Sequence, residues 1–177
     1  MKCTSSNILF QWHQPKKNKH GDIVLVQEPK RDIRWAKCIE AGPDSILHKG
    51  DEMLLSARVT TYNFNEGGKE FHNTSDASTL GFKRNGKLFA TAGTILFEWL
   101  ESVEETTASG IVVMRNDVNK EVIVRKALVH AAGPEAGVKE NDVILIAFNK
   151  DAYSFEIDGK TLSNCGKEAV ICYWPSK

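Results

Sequence analysis

Short runs of apolar, β-branched and aromatic residues alternate with turn residues along the whole chain. The runs occupy residues 8–12, 23–26, 36–41 and 52–56 in the first half, and residues 95–99, 111–114, 122–131 and 143–148 in the second. Runs of about five residues bounded by Gly, Pro, Asn and Asp are typical of strands. The one helix candidate, residues 100–107, is short and has no apolar stripe. The pattern therefore predicts an all-β fold.

The pattern of the first half returns in the second half. The matching segments are residues 7–12 (NILFQW) with 94–99 (TILFEW), 23–26 with 111–114, and 36–43 with 127–134. The offsets between them are 87, 88 and 91 positions. Ordered repeats of about 90 residues with several short strands favour two small barrels over one sandwich. We expect one β-barrel in residues 1–92 and a second in residues 93–177.

Turn residues support the repeat. In each half a Gly precedes a Pro at a predicted strand end, and a Gly or Asn then precedes an Asp. These turn residues are Gly42, Gly50 and Asp51 in the first half, and Gly133, Asn141 and Asp142 in the second. Gly and Asn adopt a left-handed backbone most readily. Both copies are therefore expected to place a left-handed residue directly before the Asp.

Each copy has a dipeptide typical of a hairpin turn, followed by a predicted closing strand. Asn85-Gly86 and Asp158-Gly159 are typical of type I′ turns, and residues 87–92 and 169–174 are predicted as closing strands. The first copy is the longer one. We place the extra residues as an insertion around residues 62–81 and interpret it as a surface excursion or an added hairpin, with a partner surface as the alternative.

Composition and charge narrow the range of partners. Lys plus Arg and Asp plus Glu both number 23, so the formal net charge is zero, whereas nucleic acids and anionic membranes attract proteins with a cationic excess. The longest strictly apolar run, residues 143–148, is far shorter than the roughly 20 residues of a membrane span. The start of the chain has no signal-peptide pattern, and four scattered cysteines indicate a reducing compartment. We expect a soluble cytoplasmic protein that binds neither nucleic acid nor membrane.

Residues that could carry catalysis are scarce. The five histidines show no metal-site spacing, and the chain has neither a Gly-x-Ser-x-Gly elbow nor a Gly-rich phosphate loop. His130 lies within an apolar run and is interpreted as a hydrogen-bonded core or rim residue. The sequence therefore predicts a protein that is not an enzyme and that holds no metal or cofactor.

The order and spacing of these segments resemble the GroES family of co-chaperonins. That family has an apolar first strand, a mobile loop ending in Gly-Gly-Ile-Val-Leu, a strand running into Ala-x-Gly, and a Val-Lys-x-Gly-Asp turn. The matching segments are GDIVL (21–25), EAG (40–42) and HKGD (48–51) in the first copy, and SGIVV (109–113), AAG (131–133) and VKEND (138–142) in the second. Only eight residues separate Gly42 from Asp51, so the family's roof hairpin has almost no room, as in shortened phage-encoded relatives.

The resemblance implies a co-chaperonin that caps a chaperonin ring and assists protein folding. Its partner-binding residues would be Ile23, Val24 and Leu25 in the first copy and Ile111, Val112 and Val113 in the second. Both tripeptides could instead be ordinary strands of the sheet, because Val26 and Met114 extend the apolar runs.

The resemblance also implies a homo-oligomer, in which each barrel pairs its opening strand with a neighbour's closing strand. The location would be the cytoplasm, or the host cytoplasm for a viral protein. The alternative function is a non-enzymatic structural protein of a phage virion, a head, neck or decoration component, whose partners are other virion subunits.

Overall fold

The computed structural model describes residues 2–13, 17–20, 23–26, 33–56, 59, 61–100, 122–149 and 154–176, with the backbone alone at 17–20, 23–26, 122–123 and 148–149. The chain divides into two units, Met1–Ala92 and Gly93–Lys177. Within the described ranges every regular element is a strand or a short 3-10 helix, and the sheets are antiparallel. The predicted all-β class is confirmed. Leu100 is not helical, and the rest of the helix candidate lies outside the described residues.

Unit 1 has seven strands in one sheet and two in a small separate sheet, counted over its described residues. The elements are β1 (Asn7–Trp12), β2 (Lys17–His20), β3 (Ile23–Val26), β4 (Ile33–Ala41), β5 (Glu52–Ser56), β6 (Tyr62–Glu66), β7 (Lys69–Ser75), the 3-10 helix η1 (Asp76–Ser78), β8 (Thr79–Arg84) and β9 (Lys87–Ala90). The large sheet has the order β6-β7-β1-β4-β5-β8-β9, and the small one pairs β2 with β3.

Unit 2 repeats this order without the last strand, as far as the structure describes it. Its elements are β10 (Thr94–Trp99), β11 (Val122–Ala132), β12 (Val143–Asn149), β13 (Ser154–Ile157), β14 (Lys160–Gly166), the 3-10 helix η2 (Lys167–Ala169) and β15 (Val170–Trp174). The sheet order is β13-β14-β10-β11-β12-β15. β15 therefore corresponds to β8, and β9 is the one strand of the seven-stranded sheet that has no counterpart among the described strands of unit 2.

The pairing register repeats along with the strand order. Register shifts fall at Leu9/Phe10 and Leu54/Leu55 in unit 1, and at Leu96/Phe97 and Leu145/Ile146 in unit 2. A β-bulge inserts one extra residue and bends its strand. The two sheets are therefore bent at equivalent places, which is strong support for an internal duplication.

An equivalent aromatic residue lies in each core. Phe10 and Phe97 are both fully buried. Each packs edge-on against the Trp two residues later, with centroid distances of 5.0 Å to Trp12 and 4.8 Å to Trp99. An arginine from the adjacent strand lies over each Trp ring, Arg34 in unit 1 and Arg125 in unit 2. The same Phe, Trp and Arg arrangement therefore occurs in both units.

The structure places the extra element of the first copy differently from the sequence analysis. Residues 62–81 form β6, β7, η1 and the start of β8, and each of these has a counterpart in unit 2. The added strand is β9. Asn85-Gly86 and Asp158-Gly159 both have the positive φ angles of the expected turns, but they join β8 to β9 and β13 to β14, so they are not equivalent turns.

Neither large sheet closes on itself through strand pairing in the part of the chain that the structure describes. The first sheet ends in β6 and β9, and the second ends in β13 and β15. The structure thus shows two open antiparallel sheets where closed barrels were expected. β1 and β10 each have strands on both sides. The opening strands themselves are therefore not free to pair with a neighbouring molecule.

Candidate functional site

The tripeptide Ile23, Val24 and Leu25 lies in β3, in the small two-stranded sheet. β3 pairs with β2 in an antiparallel register that places Ile23 opposite His20 and Val26 opposite Lys17. Among the described strands these two join no other sheet. A two-stranded ribbon is at best marginally stable alone. The tripeptide is therefore a strand, as its β-branched residues predict, but it is not part of the sheet that forms the core of unit 1.

The second predicted tripeptide cannot be placed in the same way. Ile111, Val112 and Val113 lie outside the described residues. Their proposed role depends on the repeat in the sequence alone.

Asp51 and Asp142 occupy equivalent turns. Each side chain accepts a hydrogen bond from the backbone N–H three residues earlier, at 2.7 Å from His48 and 2.8 Å from Lys139. Both side chains are buried, with 4% and 3% of their residues' surface exposed. A buried carboxylate that accepts backbone N–H groups locks the turn that surrounds it.

The residue before each Asp has the left-handed backbone expected from its identity as Gly or Asn. The φ angle is 95° at Gly50 and 71° at Asn141. The N–H of each donates to the strand beside the turn, Gly50 to the Cys38 carbonyl at 2.9 Å and Asn141 to the Val129 carbonyl at 2.8 Å. The turn is thereby fixed to β4 in unit 1 and to β11 in unit 2.

The two carboxylates differ in their second partner. Arg84 donates to Asp51 through Nη2 at 2.6 Å and through Nε at 3.0 Å, and this hydrogen bonding raises the pKa of the guanidinium. In unit 2 the Ser176 N–H donates to Asp142 at 2.8 Å. That bond and the one from Lys139 lower the pKa of Asp142. Both carboxylates therefore hold their turns in place through hydrogen bonds.

Gly42 and Gly133 directly follow β4 and β11 and hydrogen-bond to the first residues of β1 and β10. Their N–H groups donate to the carbonyls of Asn7 and Thr94, each at 2.9 Å. A Cβ at Gly42 would overlap the Ser5 carbonyl oxygen. Gly is required at position 42 because the chain entering β1 crosses the end of β4 there.

The polar groups of the described residues bear on the sequence-based expectations for metal ligands and for His130. No cluster of three or more His, Cys, Asp or Glu suited to a metal ion occurs in this part of the chain. His130 Nε2 lies 2.9 Å from Glu98 Oε2, in agreement with its interpretation as a hydrogen-bonded residue. Burial raises the pKa of the Cys38 and Cys165 thiols to about 12, so both stay protonated and unreactive at neutral pH.

No helix of the described residues has the length and apolar character that a membrane crossing requires.

The free sheet edges are the most distinctive surfaces. β13 buries its apolar residues, with Phe155 3% and Ile157 6% exposed, and β9 begins with a charged residue, Lys87. Charged residues on an edge strand guard it against pairing with other chains, and the edge strands β6 and β13 also contain one each, Glu66 and Glu156. β15 has no such guard, because none of its five residues (VICYW) is charged.

β15 presents apolar side chains as well as a free edge. Ile171 is 56%, Tyr173 49% and Trp174 46% exposed. Its counterpart β8 is paired on both sides, with β5 and with β9. Among the described strands, none in unit 2 covers the edge that β9 covers in unit 1.

The apolar pattern of β15 does not mark it as a surface. A run of five uncharged, mostly β-branched or aromatic residues is also typical of a buried strand. A difference between the two copies could have indicated the exposed edge of β15. In unit 1 a turn and one more strand, β9, follow β8, whereas in unit 2 Pro175 follows β15 directly.

No protein-family model and no curated protein matches this chain.

Proposed function

We propose that the protein is a tandem GroES-like co-chaperonin, with one GroES-like barrel module in each unit, that caps a chaperonin ring through its two apolar tripeptides and assists protein folding. The observation that carries the proposal is the position of Ile23, Val24 and Leu25 in a two-stranded hairpin apart from the core sheet. A docking segment must be able to leave its own molecule without unfolding it. A strand of the seven-stranded sheet could not do so.

The energetics of such an anchor suit a reversible lid. Burying Ile, Val and Leu on a partner contributes roughly 1.5–3 kcal/mol for each side chain. Ordering the loop on binding takes back about 2–5 kcal/mol. One tripeptide therefore binds weakly, and a stable cap needs several anchors that bind together.

The open edge of β15 supports assembly into a homo-oligomer. Edge strands without charged guards pair readily with other chains, and β15 is such a strand. An oligomer of two-anchor chains would present the many weak anchors that a lid requires. The working location that follows is the cytoplasm, or the host cytoplasm for a viral protein.

The test is the double variant Ile23→Asp with Ile111→Asp. We expect it to lose ATP-dependent binding to a purified chaperonin ring in a co-sedimentation assay, because a charged side chain cannot enter an apolar groove. Its far-UV circular dichroism and oligomeric mass should match those of the original chain. A double variant that unfolds would show that the tripeptides are core strands. A double variant that still binds the chaperonin would show that the tripeptides are not the docking residues.

A matched control makes the same chemical change elsewhere. Val124 is 54% exposed on β11. Val124→Asp should leave chaperonin binding unchanged. Loss of binding in this variant would show that any added acid disturbs the contact.

The second candidate function is the virion structural protein, and the unguarded edge of β15 favours it equally, because virion subunits also join through exposed surfaces. The two functions differ in the chaperonin assay. A chain that never binds a chaperonin but is found in purified particles would be the structural protein.

A further inference from the structure

A row of four directly paired residues crosses the outer side of the sheet in unit 2. The row runs through β10, β11, β12 and β15 and consists of Glu98, Leu128, Val143 and Trp174. Successive residues of a strand face opposite sides of a sheet, and the neighbours Ala127 and Ile144 are fully buried in the core of unit 2. The row therefore lies on the side away from the core, where Trp174 is 46% exposed and the other three residues are partly exposed.

The equivalent row of unit 1 is charged. It is paired in the same way and consists of Gln11, Lys37, Glu52 and Lys83. The last three of these residues precede Leu128, Val143 and Trp174 by 91 positions each. Unit 1 therefore has alternating charges directly across its strands, an arrangement that suits a solvated sheet, where unit 2 has three neighbouring apolar residues. Adjoining exposed apolar side chains mark interaction surfaces.

The apolar row of unit 2 has a group of opposite charge at each end. At the β10 end, Glu98 Oε2 lies 2.9 Å from His130 Nε2, and 41% of the Glu98 side chain is exposed. At the β15 end, Lys126 Nζ lies 4.9 Å from the centroid of the Trp174 ring. The row therefore has an acidic end, an apolar middle and a basic end.

The pair of Lys and Trp at the basic end is also present in unit 1, with the two residues exchanged. Lys83 Nζ lies 5.4 Å from the centroid of the Trp35 ring, and these residues correspond to Trp174 and Lys126 at the same offset of 91. The exchange places the Trp of unit 2 on β15, in line with Leu128 and Val143. It thereby extends the apolar row to the last strand of the sheet.

We propose that this row is a contact between two copies of the chain, in which the unit 2 sheets pack face to face about a two-fold axis along the strands. Such an axis reverses the direction of the row in the second copy. Leu128 of each copy then lies opposite Val143 of the other, and Glu98 of each lies opposite the Lys126 and Trp174 pair of the other.

Charge complementarity selects both the partner and the orientation. An identical copy has an apolar middle for the apolar middle, and a basic end for the acidic end. A two-fold axis along the row would instead bring Glu98 against Glu98 and Lys126 against Lys126, and like charges that meet in an interface are costly. The contact is isologous, because the same residues serve on both sides.

This contact uses the outer side of the sheet, leaves the edge of β15 free, and does not depend on chaperonin binding. A single row buries less than the roughly 1,200–2,000 Å² of a stable complex. We therefore expect a dissociation constant of about 0.1–1 mM, so that the contact is open in dilute solution. In a larger assembly several such contacts act together.

The experiment measures the mass of the full-length chain by sedimentation equilibrium, from dilute solution to about 1 mM, the weak end of the affinity scale. We expect the mass to rise toward twice its dilute value. Glu98→Lys and Lys126→Glu should each weaken this association at least about tenfold, since each creates two pairs of like charge. An equimolar mixture of the two variants should associate as the original chain does, because opposite charges then meet at both ends.

The apolar middle is tested by Val143→Glu, which copies Glu52 of the equivalent position and should also weaken the association at least about tenfold. Ile46→Glu is the matched control on an exposed residue of unit 1, 45% exposed, and should associate normally. Circular dichroism should show that all variants are folded.

Three results would overturn the contact: a mass that stays constant up to about 1 mM, a mixture of the charge variants that does not associate, or a folded Val143→Glu variant that associates as the original chain does. Any of them would leave the proposed co-chaperonin function standing, because chaperonin binding is measured separately with the tripeptide variants. Loss of chaperonin binding with this association retained would contradict the proposed function alone.

Discussion

At the residue scale, one buried carboxylate per unit holds the turn before β5 and before β12, and the surroundings decide its partner. Asp51 pairs with the charged Arg84, whereas Asp142 accepts hydrogen bonds from the backbone N–H groups of Lys139 and Ser176. Hydrogen bonds to an ionised group contribute about 1.5–3 kcal/mol. The two turns therefore share their geometry, but a different group binds the carboxylate in each: the Arg84 guanidinium in unit 1 and the Ser176 N–H in unit 2.

Asp142 gives a pH-dependent prediction. Its pKa in the folded chain is lowered from 3.8, chiefly by the Ser176 N–H. A lowered folded pKa contributes stability that is present above the ordinary pKa and is lost as the pH falls through the folded value. Asp142→Asn should therefore lower the free energy of unfolding by about 1–2 kcal/mol at neutral pH. Urea unfolding should show this difference shrinking as the pH falls below 3.8; a difference that does not change with pH would contradict the assignment.

At the element scale, the strands of strong apolar pattern were predictable and the polar edge strands were not. β1, β5 and β10 lie within a residue of their predicted ranges. β6 (YNFNE) is exposed at every residue, so no buried face produced an apolar period, and its hairpin was interpreted as an insertion. The turn dipeptides could not correct the misplaced insertion. Asn85-Gly86 and Asp158-Gly159 look equivalent in the sequence, but the first joins β8 to β9 and the second joins β13 to β14.

The left-handed turn residue gives a prediction at this scale. Asn141 tolerates φ 71° better than residues with an ordinary Cβ, for which this region costs about 1–2 kcal/mol. Asn141→Ala should lower the free energy of unfolding by about 1 kcal/mol, while Asn141→Gly should leave it nearly unchanged. Gly50→Ala is the matched change in unit 1 and should also destabilise. Equal unfolding curves for the Ala and Gly variants at position 141 would show that the turn does not require this backbone.

The two candidate surfaces, β3 and β15, were also predictable only in part. The apolar run 23–26 is typical of a strand, and the structure has β3 there; the partner-binding role expected for Ile23, Val24 and Leu25 stays a prediction. Whether a strand joins the core sheet, a separate hairpin or a free edge depends on pairing between distant residues. One sequence does not specify that pairing, so neither the separation of β3 from the core nor the exposure of β15 could be predicted.

At the scale of the whole molecule, assembly and docking should be coupled. One chain offers two weak anchors, whereas an oligomer offers many that act together, and joining binding sites in this way raises affinity by about 10²–10⁴-fold. The double variant Ile171→Lys with Tyr173→Lys places charges on the exposed edge strand β15 and leaves both tripeptides intact. We expect it to be a folded monomer by light scattering and to bind a chaperonin ring at least tenfold more weakly than the original chain, since avidity is lost.

Val124→Lys adds a charge at another exposed apolar residue of unit 2 and should change neither property. A monomeric edge variant that binds as tightly as the original chain would show that a single pair of anchors is sufficient. The lid would then not depend on assembly, and the open edge of β15 would need a different explanation. An edge variant that remains oligomeric would instead locate the contact between molecules on another surface, with β6 the next candidate because Tyr62 and Phe64 are 80% and 41% exposed along its free edge.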